Sequence, residues 1–164
     1  MVIEYKSEIT YFSDGDRDYD LWNLFTSARY ATFRAREKEL QRYGLTPGHA
    51  QILFVVQALK ENARVTEISR YVLRQPHSVS TMVNRMIKLG LVKKVSGAAH
   101  KRIIILTVKG LEAYELTAKR GPVHRIMQSL TEEQRLQFQN ALDIILGKAR
   151  QELGLDHDDL PSSE

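Results

Sequence analysis

Beyond the first seventeen residues, which lack clear periodicity, apolar residues repeat at helical spacing along most of this chain, and the period changes in two short runs near its middle. "LVKKVS" (91–96) and "RIIILT" (102–107) are β-branched and basic, with the period of a strand. "GAAHK" separates them and Gly97 suits a turn, so the pair reads as a hairpin with a five-residue loop. The fold class that follows is mainly α with one small β-hairpin.

The helices around that hairpin can be placed from their punctuation. A long helix is predicted from about Asp18 to Tyr43, with Leu21, Leu24, Phe25, Ala28, Thr32 and Ala35 on one face and Gly44 ending it. Thr46 and Pro47 open a second, which buries Leu53, Val56 and Leu59. A third, short helix starts at Thr66. Pro76 then disfavours helix for Gln75 and pre-sets the next helix, "PHSVSTMVNRMIK", which stops at Gly90. Beyond the hairpin, Thr107 caps a helix reaching about Arg120, where Gly121-Pro122 should break or kink it. "TEEQ" (131–134) is a capping box, and the last helix carries Phe138, Leu142, Ile145, Leu146 and Ala149 on one stripe before Gly154. Two short helices joined by a tight turn and followed by a basic hairpin form a winged helix-turn-helix.

The helix that starts at Pro76 has two dissimilar faces. Val79, Met82, Val83 and Met86 fall at i, i+3, i+4, i+7 and are predicted core. The other face holds His77, Ser78, Ser80, Thr81, Asn84, Arg85 and Lys88 without a carboxylate. The asymmetry extends further: the forty-four residues from Ile68 to Leu111 contain no Asp or Glu but nine Lys and Arg. At the chain's overall acid content about five acids would be expected there. Solvated faces usually mix signs, so a one-sided segment marks a surface that meets a polyanion. The average charge conceals this. Removing the four acids of the last twelve residues from the net +4 leaves the body at +8.

Other classes are poorly supplied. With no cysteine there are no disulfides, thiolate metal sites or thiol redox chemistry. The five histidines match no metal-ligand spacing, and no nucleophile–base pair or paired carboxylates suggest catalysis, so neither metal, cofactor nor enzyme activity is expected. No apolar run approaches the roughly 18 residues of a membrane span, and the N-terminus lacks a signal peptide's pattern; a cytoplasmic protein is the expectation.

Three segments, "LTPGHAQIL" (45–53), "VSTMVNRMIKLGLVKK" (79–94) and "KRIIILTVKG" (101–110), in this order and spacing, resemble the MarR family of dimeric bacterial transcription regulators. The resemblance spans about residues 20–150. Two departures stand out. His100 occupies the wing position where the family usually has Asp, and the segment between "GLV" and "LT" is about two residues shorter. Either Arg102 or His100 therefore takes the place of the family's minor-groove arginine.

The resemblance implies a homodimer whose end helices pack against those of a second subunit. The residues allow it, since Ala28, Ala31 and Ala35 keep the first helix slim. The expected layout is a flexible arm (1–17), a dimerisation helix (18–44), the winged DNA-binding domain (45–110), C-terminal dimerisation helices (111–153) and a disordered acidic tail (154–164). Double-stranded DNA would be met by Gln75, His77, Ser78, Ser80, Thr81, Arg85, Lys88, Lys93, Lys94, His100, Lys101 and Arg102. By resemblance, Tyr30, Phe33 and His49 are candidates for a pocket taking a small aromatic or anionic effector. A ligand-independent architectural DNA binder and a winged-helix protein–protein adaptor are the alternatives; an adaptor has no need to exclude acids, and an architectural binder would lack preference for a palindrome.

Overall fold

The computed structural model describes residues 15–97 and 102–154. His100 and Lys101, the arm up to Asp14 and the tail beyond Gly154 lie outside the described residues. Nine elements follow in order: helix α1 (Arg17–Gln41), α2 (Pro47–Leu59), α3 (Val65–Val72), α4 (Pro76–Lys88), strands β1 (Val92–Ser96) and β2 (Arg102–Leu106), then α5 (Val108–Ala118), α6 (Gly121–Met127) and α7 (Glu132–Glu152). A short 3-10 turn, Lys60–Asn62, follows α2.

Each boundary has a local cause. Asp16 caps α1 by accepting from the backbone N–H groups of Asp18 and Tyr19, so the helix starts inside the segment expected to be loose. Thr46 caps α2 and Thr131 caps α7, each in a reciprocal capping box. Helix α3 begins at Val65, one residue before the Thr66 expected to open it, with no side-chain cap. Its end is forced by Leu73, which adopts a left-handed conformation (φ 50°, ψ 48°) that a leucine takes only when its surroundings require it.

The core is made by α2, α3, α4, the hairpin and the facing side of α5. Ile52, Leu53, Val56, Ile68, Val79, Val83, Met86, Val92 and Ile104 sit in one buried cluster with Leu40, the only buried residue of α1. Val79, Val83 and Met86 are fully buried, as their spacing predicts, and Met82 is half-buried. Leu59, expected in the core, is half-buried against it. Truncating Met86 to Ala should cost roughly 2–5 kcal/mol, the usual range for an emptied core site.

The hairpin is antiparallel, with Val92 opposite Leu106, Lys94 opposite Ile104 and Ser96 opposite Arg102. It is anchored to the helices by the Ile104 N–H, which donates to the Ala63 carbonyl at 2.8 Å. The start of α5 is fastened to the end of α4. The Thr107 hydroxyl reaches the Gly90 carbonyl at 2.6 Å, and Lys109 Nζ donates to the Leu89 carbonyl at 2.9 Å.

At the other end of α5 the chain breaks, as Gly121-Pro122 predicts. Arg120 turns left-handed (φ 46°) and α6 begins anew. Helix α1 braces this seam. Arg36 pairs with Glu39 and donates to the Thr117 carbonyl, while Glu39 Oε1 accepts from the Gly121 N–H at 3.0 Å. Helix α7, for all its length, buries no residue at all, as does the short α6. Among the described residues no helix is long and apolar enough to cross a membrane.

Candidate nucleic-acid interface

The outward face of α4 lies beside β1. His77, Thr81, Asn84, Arg85 and Lys88 are exposed, whereas Ser78 and Ser80 are half-buried and so offer less to a partner than their neighbours. Gln75, exposed, precedes the helix as its N-cap without a capping hydrogen bond. Lys93, Lys94 and Arg102 are exposed on the hairpin. A hydrogen bond from Lys94 Nζ to Asn84 Oδ1 (2.9 Å) ties the wing to the helix, so the two form one surface. Asn84 is the residue the sequence-level site omitted; its place three residues beyond Thr81 on the acid-free face was the available signal.

The hydrogen bonds decide what each group offers. Thr81 Oγ1 donates to the His77 carbonyl at 3.0 Å, which spends its proton and leaves its methyl and oxygen lone pairs outward. Ser78 Oγ is 3.2 Å from His77 Nε2. Arg85 makes no ion pair among the described residues, so its fork of donors is uncommitted.

The three effector candidates are dispersed in character. Tyr30 and Phe33 are exposed on α1. His49 is buried in the first turn of α2, where its Nδ1 accepts from the Thr46 N–H at 3.4 Å. Burial, and secondarily the charge of Arg85, hold its pKa below the ordinary value. Clefts at the hairpin–α2–α5 junction, between α1 and α6, and beside the α4–β1 turn are lined by other residues. Among the described residues no three His, Asp or Glu converge as metal ligands.

An exposed basic helix, packed on a second short helix and flanked by a two-stranded hairpin, makes this a winged helix-turn-helix protein. Residues 43–103 match the model of the MarR family. No curated protein sequence matches the chain. Among solved structures it is similar to the organohalide-sensing RdhR-CbdbA1625 transcriptional regulator in its 2,4-dichlorophenol-bound form (24% identity, 99% of this chain and 97% of that one, TM-score 0.75). It is similar also to AbsC, a MarR family transcriptional regulator from Streptomyces coelicolor (22% identity, 82% and 95% coverage, TM-score 0.75). A third is Staphylococcus aureus MepR in complex with DNA (18% identity, 81% and 99% coverage, TM-score 0.73). Over residues 43–103 the chain is similar to the MarR family, and its fold is similar to that of these regulators.

Proposed function

We propose that this chain is a sequence-specific DNA-binding transcriptional regulator that acts as a homodimer on a near-palindromic operator, represses by occupying it, and is tuned by a small aromatic or anionic effector. One observation carries the reading: His77, Thr81, Arg85, Lys88, Lys93, Lys94 and Arg102 are exposed together in a segment without acids, while the opposite stripe of α4 is sealed in the core. A carboxylate on that surface would repel the phosphate backbone, so its absence has a physical reason. Arg85 and Thr81 face outward from α4 as base-reading groups, and Lys93 and Lys94 supply phosphate contacts. Arg102, with His100 and Lys101, would reach an adjacent A·T-rich minor groove.

The dimer is supported by what α1 and α7 leave uncovered. Tyr19, Leu21, Trp22, Tyr30, Leu136 and Ile144 are more than half exposed. A twenty-one-residue helix that buries nothing draws little stability from its own chain, since helices in proteins depend on packing one face. A second copy would cover these faces and set two α4 helices about 34 Å apart, in successive major grooves. Tyr30 and Phe33 would then line a pocket that the second subunit closes; that a structurally similar regulator has a 2,4-dichlorophenol-bound form supports an effector of this kind.

Selection of bound duplexes from a random pool, repeated with small phenols and aromatic acids, tests this. The expected result is a palindrome preferred by roughly 10³ or more over random duplex at physiological salt. Equal affinity for all sequences would leave an architectural binder, and no attraction even in dilute buffer would remove DNA altogether.

A further inference from the structure

Ala35, Lys38 and Glu39 on α1 and its C-cap Arg42 fall at i, i+3, i+4, i+7, and Pro122 and Arg125 on α6 face them across a cleft of about 360 Å³. Three of these six residues are cations and one is an acid. The acid is already spent, because Glu39 pairs with Arg36 and accepts from the Gly121 N–H. The side chains of Lys38, Arg42 and Arg125 have no ion-pair or hydrogen-bond partner among the described residues. Elsewhere the arginines Arg34, Arg36, Arg70 and Arg135 each pair with a carboxylate three residues away.

Local helix physics explains part of this. Cations in the last turn of a helix are favourable, which accounts for Lys38 and Arg42 singly. It does not account for setting the two at i, i+4, where like charges repel, nor for a third cation from another helix in the same cleft. Gly121 packs tightly beside the cleft: a Cβ there would stand 3.3 Å from the Arg125 guanidinium and 3.4 Å from Glu39 Oε1. Pro122 fixes the backbone of that wall.

We infer that the α1–α6 cleft binds an anion bearing two or more negative charges, a polycarboxylate or a phosphate. Arg42 and Arg125 supply forked donors from opposite walls, and Lys38 adds a point charge from the α1 wall. The volume suits a small organic anion. The chain carries the same chemistry itself in Asp156, Asp158, Asp159 and Glu164, so the occupant is either a free anion or these carboxylates. The site lies apart from the acid-free DNA surface and stands whether or not the proposed function does.

Isothermal titration calorimetry with citrate and with inorganic phosphate, at fixed ionic strength and without DNA, tests it on the full chain and on a chain ending at Gly154. Saturable binding to both chains at one site per subunit, weakened about tenfold or more by Arg125→Glu and by Lys38→Ala, supports a free anion as the ligand. Binding seen only in the shortened chain, and lost in the same variants, assigns the occupant to the terminal carboxylates. Both substitutions replace exposed side chains, so folding is preserved and circular dichroism checks it. Absence of saturable binding in either chain, or binding that the two substitutions leave unchanged, overturns the inference.

Discussion

At Gly110 there is no room for a side chain: a Cβ would lie 1.8 Å from the Leu91 carbonyl oxygen, backbone against backbone. Gly110→Ala should therefore cost roughly 2–3 kcal/mol in urea unfolding, as overpacking does, by prising α5 from the α4–β1 turn. A loss below about 0.5 kcal/mol would mean that the turn yields freely. His49 offers a second residue-scale test. Its folded pKa lies below 6.5, chiefly through burial, so as pH falls the unfolded chain takes up the proton first. Stability is then lost as pH drops below about 6.5 and levels off beneath the folded pKa. Thermal melts should show a lower Tm near about pH 5.5 than near about pH 7.5, and His49→Gln should shrink that difference. An undiminished drop in the variant would assign the effect to other groups. Resemblance offered His49 as a pocket residue, and its capping role was not legible because a capping box ordinarily has Glu or Gln at this position. That an imidazole could fill the role depends on a rotamer, which spacing does not convey. The exposure of Arg85 and its lack of an ion pair among the described residues were legible, since a face without carboxylates leaves an arginine uncommitted. Arg85→Ala should weaken operator binding by roughly 1–3 kcal/mol in anisotropy titrations while circular dichroism stays unchanged; unaltered affinity would remove it from the reading surface.

Among the elements, α7 makes the sharpest forecast. Ile144 is 69% exposed. In a monomer, Ile144→Glu would change little; in a dimer it puts a charge into a buried face. Sedimentation should show the variant dissociating at concentrations where the parent is dimeric, with a concurrent loss of helix signal. Unchanged sedimentation would show that α7 is not the contact. Every helix but α6 was readable, because Thr46, Thr107 and Thr131 cap and Pro76 punctuates by local rules; Pro122 was read as a break and not as the first turn of a new helix. The hairpin was equally plain from its β-branched runs. The brace from Arg36 and Glu39 to Thr117 and Gly121 was not readable: its partners are more than eighty positions apart, and charged pairs at i, i+3 on α1 look like ordinary surface decoration. Asp16 was overlooked as a cap for a different reason, since an aspartate in an acidic, glycine-containing stretch has several competing uses.

The whole molecule divides its charge as its fold divides its surface: acids lie toward the ends, and the span from Ile68 to Leu111 holds only bases. Affinity for DNA should fall steeply with salt, and Lys93→Ala or Lys94→Ala should each flatten that dependence by about one unit on a logarithmic plot, equally for operator and random duplex. A loss confined to the operator would make these lysines base readers. Helix α5 adds a mechanical constraint. It is held at its first residues to the end of α4 and at its last to α1, so it forms a strut about 16 Å long between the winged core and the uncovered apolar faces. A strut held at both joints couples the positions of its two ends. Re-targeting such a protein to half-sites with altered separation would then call for edits at the joints, and reshaping the wing would leave the gauge untouched.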